Sequence, residues 1–446
     1  MNESNGVRNN ISAPKVLLGG FAGVIILGTI LLLLPFSTVE SGSMGIIDAF
    51  FTATSAVCVT GLVVVDTGTY FTLFGQLVIL LLIQIGGLGF MTIASIIAVV
   101  LGKRITLKER LLLQESLNQL SMQGIVKFTI KVILFSLIFE MVGATILALR
   151  FSKFFPWPRA IYYGFFHAIS AFNNAGFDLM GNFSSLTGFR EDYIVNFTVM
   201  GLIILGGLGF FVLVDIFNKK KIRTLTLHSK LVLATSFLLI LFGFLVSFIF
   251  EFSGGFSDLS LPGKFLAALF QSVTTRTAGF NTIEIPKLRM ATQFFLIILM
   301  FIGASPGSTG GGIKTTTFAS LILAVKGILK SEEEDVIFER TLNKEIIKKS
   351  IAVTFVSLWI VIISTVSLAL TEHVTFLTLL FEATSAFGTV GLSLGITPHL
   401  SLAGKMTIIF TMFAGRVGPL TLVLALAEQK KKPVAIKYVE EKITIG

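Results

Sequence analysis

Charge is missing from long stretches of this chain. Val16 to Val39, Leu231 to Phe250, Met290 to Ile313 and Ser350 to Thr371 run for 24, 20, 24 and 22 residues without a charged side chain, and roughly 20 apolar residues let a helix cross a bilayer. Between them lie shorter apolar segments, such as that around Phe265 to Gln271, which predict helices of about 10 to 14 residues, or roughly 15 to 20 Å. Those are too short to cross and are expected to enter the membrane and return on the same side. A span, a half-length helix, a loop and a second span follow one another four times.

Repeat 1 is expected at 15–101: a span to Phe36, a short segment from about Gly45 to Val57, a loop at Cys58 to Gly61 and a second span from about Leu73. Repeat 2, at 102–217 with its preceding connector, uses Val132 to Leu149, about Pro158 to Phe172, a loop at Asn173 to Gly176, and Tyr193 to Val214. Repeat 3, at 218–330, uses Leu231 to Phe250, Pro262 to Thr275, a loop at Arg276 to Gly279 and a span from near Met290. Repeat 4, at 331–428, uses Ser350 to Thr371, about Thr375 to Phe387, a loop at Gly388 to Gly391, and Leu402 to Glu428. Segments 1–14 and 429–446 flank the repeats. Pro158 and Pro262 stand where short helices would begin.

The loops align without a gap. Thr54 to Leu62 reads T-S-A-V-C-V-T-G-L, Ile169 to Phe177 I-S-A-F-N-N-A-G-F, Ser272 to Phe280 S-V-T-T-R-T-A-G-F, and Thr384 to Leu392 T-S-A-F-G-T-V-G-L. Gly61, Gly176, Gly279 and Gly391 recur in register, each followed 24 to 30 residues later by a second glycine-centred motif. Those motifs are Gly86-Gly87-Leu88-Gly89, Gly206-Gly207-Leu208-Gly209, Gly303-Ala304-Ser305-Pro306 and Gly415-Arg416-Val417-Gly418. A single glycine would be ordinary helix packing; four in register mark a repeat architecture.

Composition agrees: 54% of residues are apolar and 13% charged, which excludes a soluble fold of this length and makes the chain an all-α polytopic membrane protein. The net charge of +10 would suit nucleic acid, but 24 of the 35 Lys and Arg sit at the ends of the repeats. By the positive-inside rule those ends, and both termini, are expected in the cytoplasm. The charge therefore reports orientation among lipids, and no nucleic-acid partner is expected. Met1 to Pro14 carries no cleavage pattern, so no removed leader is expected. Cys58 is the single cysteine, which excludes an intrachain disulfide. His167, His228, His373 and His399 lack metal-ligand spacing.

Irregular backbone at membrane depth persists only where it is buried in protein or lines water. Four such loops in one orientation converge on one axis, where backbone carbonyls can replace the hydration shell of an ion. The candidate selectivity filter is Cys58, Val59, Thr60 and Gly61; Asn173, Asn174, Ala175 and Gly176; Arg276, Thr277, Ala278 and Gly279; Gly388, Thr389, Val390 and Gly391. Half-length helices aiming their C-terminal ends at that axis favour a cation. The Arg276 side chain is expected to brace the carbonyls from behind.

The second span of repeat 3 is interrupted by Gly303-Ala304-Ser305-Pro306-Gly307-Ser308-Thr309-Gly310-Gly311-Gly312, where Pro306 removes a helix hydrogen bond and the glycines make continuation costly. This stretch is expected in the pore below the filter, the alternative being a surface loop between two half-helices. Gly307 to Thr315 nearly spells a phosphate-binding loop, but Ile313 separates the required Gly and Lys314 and no strand precedes it, which excludes nucleotide binding there. Arg416 is expected near mid-helix, either paired within the bundle or facing the pore. Glu140 interrupts a span and is expected to face protein.

Over nearly its whole length the sequence resembles the Trk/Ktr/HKT superfamily of potassium transporters, carried by the loop, glycine and helix order of all four repeats. It looks most like the membrane subunit of the bacterial Ktr system, because it opens on repeat 1 without the leading helix pair of Trk-type subunits. The resemblance implies potassium at the filter carbonyls, since glycine in all four loops goes with potassium. A serine in the first loop goes with sodium in some plant members, and that position here is Gly61. It also implies a gate at Gly303 to Gly312 with Lys314, which Arg416 would contact, and a homodimer bound by a cytosolic, nucleotide-binding regulatory ring. Sodium activation is implied too, although no sodium site is legible; no covalent cofactor is expected. The expected function is potassium uptake across the bacterial cell membrane, without enzymatic activity. The alternatives are a sodium-translocating or poorly selective member of the same family, and a secondary carrier of an organic solute. Carriers commonly use inverted repeats, whereas these four share one orientation. A membrane-embedded enzyme lacks a metal cluster or nucleophile-base pair in this sequence.

Overall fold

The computed structural model describes residues 13–101, 105–116, 123–331, 336–338, 340–419 and 421–422. Residues 1–12, the acidic run from Glu332 to Asp335, and the tail at 429–446 lie outside the described residues.

Among the described residues, four helices are long and apolar enough to cross a membrane: Pro14–Leu32, Ile125–Phe151, Leu227–Glu251 and Lys344–Thr371. The second, at 27 residues, reaches about 40 Å at 1.5 Å per residue, longer than the hydrocarbon layer. Each long helix is followed by a half-length helix, respectively Ile46–Val57, Trp157–Phe172, Leu261–Thr274 and Phe376–Gly388. An inner helix then follows: Leu73–Leu88, Tyr193–Gly207, Met290–Phe301 and Leu402–Val417. The chain is a multi-pass, all-helical membrane protein. Among the described residues its only strands are a two-residue antiparallel pair, Val336–Ile337 with Arg340–Thr341.

Local chemistry starts these helices where they start. Ser260 Oγ accepts from Gly263 N at 3.1 Å, Ser401 Oγ from Gly404 N at 3.0 Å, and Asp192 from the N–H groups of Ile194 and Val195, both at 3.1 Å. These bonds satisfy donors that a helix N-terminus leaves without intrahelical partners. Pro158 and Pro262 fall in the first turns of their helices, where no amide hydrogen is needed.

The sequence predicts one broken inner span, and the structure breaks all four. Gly89, Gly209 and Gly418, with φ of +81°, +91° and +94°, take a backbone conformation that a side chain disfavours. They are the fourth residues of the aligned glycine motifs, where repeat 3 has Pro306. At the break in repeat 2, Tyr193–Gly207 and Phe210–Lys219 meet at 96°. The uninterrupted spans expected at Tyr193 to Val214 and Leu402 to Glu428 are therefore corrected, because each is interrupted at its glycine.

The repeats close into a ring. The inner helix of each packs against the half-length helix of the next: Leu73–Leu88 on Trp157–Phe172, Tyr193–Gly207 on Leu261–Thr274, Met290–Phe301 on Phe376–Gly388, and Leu402–Val417 on Ile46–Val57. Lys405 Nζ and Asp48 Oδ1, 2.6 Å apart, pair across that last contact. Away from the axis, Glu251 is fully buried and ties a long helix to the inner helix of its repeat. It accepts from Gly255 N at 2.7 Å, from Arg289 N at 2.8 Å and from the Thr292 hydroxyl. Glu251→Ala strands two backbone donors and is expected to cost about 3 kcal/mol, read as a lower melting temperature of the detergent-solubilised protein; an unchanged melting temperature would show these bonds to be dispensable.

Candidate ion-conduction site

The four loop glycines meet at one place. A side chain on Gly61 would strike the carbonyl oxygen of Ala175, one on Gly176 that of Ala278, one on Gly279 that of Val390, and one on Gly391 that of Thr60. Its β-carbon would lie 3.2, 3.0, 3.3 and 3.0 Å, respectively, from the Cα of the next glycine in that order. The sequence of contacts returns to its start, so the glycines surround one axis. All four have positive φ, +85°, +70°, +79° and +90°. Two residues before each of them, Val59, Asn174, Thr277 and Thr389 also have positive φ, between +50° and +75°. For a residue with a side chain this costs about 1–2 kcal/mol, and such strain persists only where the surroundings over-determine it.

The surroundings here are the ends of the half-length helices. Ser55 Oγ accepts from Gly61 N and Ser385 Oγ from Gly391 N, both at 3.1 Å, while the carbonyls of Ser55 and Ser385 accept from Thr60 N at 2.8 Å and Val390 N at 2.9 Å. The Ser170 carbonyl accepts from Ala175 N at 2.8 Å, and its hydroxyl donates to Phe177 O at 2.7 Å. Repeat 3 has Val273 in the serine position and uses Thr274 instead, whose hydroxyl donates to Phe280 O at 2.5 Å. Sequence reasoning missed these hydroxyls as site residues, although the serine recurs in three of the aligned copies.

On one side of the ring lies a mouth of about 430 Å³, lined by the four glycines together with Asp66, Asp178 and Glu284. These carboxyl groups give the mouth a cation-attracting wall. On the other side lies the stretch from Gly303 to Lys314, none of which lines the mouth. It is tied to the loops and to the inner-helix ends. Gly311 N donates to Thr389 Oγ1 at 2.9 Å and Thr309 Oγ1 to Phe172 O at 3.3 Å. Ser305 N donates to Gly207 O at 3.0 Å, Thr309 N to Gly206 O at 3.3 Å, and Phe210 N to Gly307 O at 2.9 Å. A side chain on Gly310 would run into Thr277 Oγ1. Gly303 N to Ile313 O, 2.9 Å, draws the two ends of the stretch together, and Lys314 Nζ donates to Gly310 O at 2.7 Å.

Over residues 20–434 the sequence matches the TrkH family, described as a cation transport protein. The chain belongs to the TrkH family. It is similar to the Ktr system potassium uptake protein B of Bacillus subtilis strain 168, 46% identical over 97% of this chain and 96% of that one. The potassium/sodium uptake protein NtpJ of Enterococcus hirae is 38% identical over 99% of this chain and 98% of that one. Among solved structures, the potassium transporter TrkH from Vibrio parahaemolyticus superposes with a TM-score of 0.73, covering 96% of this chain and 87% of that one at 19% identity. That last likeness speaks for the fold.

Three side chains of this TrkH-family chain sit differently from the sequence expectation or go beyond it. Arg276 does not brace the filter carbonyls; its guanidinium turns to the long helix of repeat 3, donating to Ser236 O at 3.3 Å and Ser236 Oγ at 3.2 Å. Arg416 is not mid-helix but in the last turn of Leu402–Val417, just before the break at Gly418. It donates to the carbonyls of Thr309 and Gly86, and to Gly87 O at 3.2 Å, joining the interrupted stretch to the inner helix of repeat 1. Asn174 pairs with Thr277 Oγ1 of the neighbouring loop at 3.1 Å, a link between repeats with no sequence signal. Cys58, Ala175, Ala278 and Val390 are wholly buried in their loops.

Proposed function

We propose that this chain is the ion-translocating subunit of a Ktr-type potassium uptake system. The closed ring of four glycines carries this reading: strained loops bring backbone from four repeats to one axis with no side chain in the way, as a dehydrated cation requires. The names of the Bacillus and Enterococcus relatives support potassium. The filter is formed by the four loops, Cys58 to Gly61, Asn173 to Gly176, Arg276 to Gly279 and Gly388 to Gly391, with potassium held by their carbonyls. The stretch from Gly303 to Gly312, with Lys314 and Arg416, is the gate. The mouth faces outward and both termini lie in the cytoplasm, in line with the placement of Lys and Arg. An inside-negative potential of about 100 mV then draws each ion inward with roughly 2.3 kcal/mol.

The working assembly is a homodimer on a cytosolic, nucleotide-binding ring, as the resemblance to Ktr systems suggests. Sodium acts as an activator or, in the second reading, as a co-permeant ion, which the printed name of the Enterococcus relative favours. The test is growth at limiting potassium, with rubidium uptake, in a bacterium lacking its own potassium uptake and supplied with a cognate cytosolic subunit. Rescue is expected. Failure of a chain present in the membrane at normal abundance would overturn the reading.

A further inference from the structure

Glu140 is 4% exposed on the long helix of repeat 2, and neither the glycine ring nor the gate uses it. Its carboxylate takes three hydrogen bonds. Ser136 Oγ donates to Oε1 at 2.9 Å, Asn173 Nδ2 to Oε1 at 3.1 Å, and Gln84 Nε2 to Oε2 at 3.1 Å. Asn173 is the first residue of the second loop, and its two Nδ2 hydrogens are shared among Glu140 Oε1, Gln84 Oε1 at 2.7 Å and Ile169 O at 2.9 Å. The side chain lies flat against Gly87, where a β-carbon would strike its Oδ1. One amide from the loop is thus clamped between the inner helix of repeat 1 and the long helix of repeat 2. Among the described residues, no Lys or Arg forms an ion pair with Glu140. A carboxylate inside a membrane protein without a basic partner is costly to keep, and here its neighbours are hydrogen-bond donors from three different elements. Of the matching loop positions, Cys58 and Gly388 offer no such amide, and Arg276 is tied to the long helix of its own repeat at Ser236 without a carboxylate partner.

We propose that Glu140 and Gln84 are positioning residues for the second loop. By fixing Asn173 they hold the strained Asn174 that follows it, at φ +56°, in the register the glycine ring needs, and so set the discrimination between alkali cations. This rests on the reading of the loops as a selectivity filter.

The test measures the ratio of rubidium to sodium flux for the full chain in proteoliposomes. Glu140→Gln sets the new amide nitrogen against that of Gln84 and is expected to lower the ratio about fivefold at unchanged abundance. Adding Gln84→Glu exchanges carboxylate and amide, restores every donor-acceptor pair, and is expected to bring the ratio back to within about twofold. A merely structural role would move abundance or melting temperature and leave the ratio alone. An unchanged ratio in Glu140→Gln, or no recovery in the double variant, would overturn the proposal. If Glu140→Gln does not accumulate, Gln84→Leu removes the same support from the other side and is judged by the same ratio. Gly391→Ser serves as the control: if it too leaves the ratio unchanged, the filter reading has failed, whereas an unchanged ratio in the Glu140 variant alone removes only the clamp.

Discussion

Gly391→Ser is expected to lower the preference for rubidium over sodium about tenfold, a change of roughly 1.4 kcal/mol in the relative energies of the two ions. Two effects act together. Gly391 has φ of +90°, a conformation costing a side-chain-bearing residue about 1–2 kcal/mol. Its new β-carbon would also lie 3.0 Å from Gly61 Cα and press on the Thr60 carbonyl. Nothing there can yield without shifting the backbone of the first loop, and that shift re-spaces the carbonyls that meet the ion. Gly395→Ser separates the two effects. Gly395 lines the same mouth and has φ of +94°, but its β-carbon would meet nothing within 4 Å. It carries the strain without the collision, so its flux ratio is expected to match that of the parent. Tracer flux in proteoliposomes reads both variants, and equal ratios for Gly391→Ser and Gly395→Ser would remove the ring from the explanation of selectivity.

Deleting Ser308 to Gly312 is expected to raise rubidium flux about tenfold in the absence of a cytosolic subunit, the ratio that corresponds to roughly 1.4 kcal/mol. The deletion removes the bonds of Thr309 to Phe172 and of Gly311 to Thr389, and the Thr309 carbonyl that receives Arg416. Those contacts hold the stretch against the ring, and without them the path from the ring to the far side is widened. The long helices and the glycine ring keep their own contacts, so membrane abundance is expected to be unchanged. Parental flux and parental response to the cytosolic subunit would show that the stretch is not a gate.

Three of the four long helices were legible because length without charge is a bilayer requirement that soluble packing does not imitate; the second, which carries Glu140, was legible from its place in the repeat. The half-length helices were legible for the converse reason, being apolar yet too short. Register across repeats came from glycine, whose absence of a side chain is demanded at the same spot four times. The three missed breaks at Gly89, Gly209 and Gly418 show the limit of that argument. Glycines within a span, even clustered as at Gly86-Gly87-Leu88-Gly89, are common in continuous membrane helices, and only the aligned Pro306 hinted otherwise. Side-chain partners were least legible. Arg276 stands within a loop motif yet reaches for Ser236, and Glu140 finds Gln84 and Asn173 at separations of 56 and 33 residues, because those pairings depend on which helices become neighbours. The contact of Arg416 with Thr309, 107 residues away, was expected from the family resemblance and not from any local signal.

Whether the glycine ring is a potassium filter is tested most directly by rubidium uptake into proteoliposomes holding the intact chain, under an imposed inside-negative potential and a roughly tenfold excess of sodium outside. Uptake that follows the potential and is little reduced by the sodium is the expected result. Uptake abolished in proportion to the sodium present, or indifferent to the potential, would contradict a potassium-selective pore.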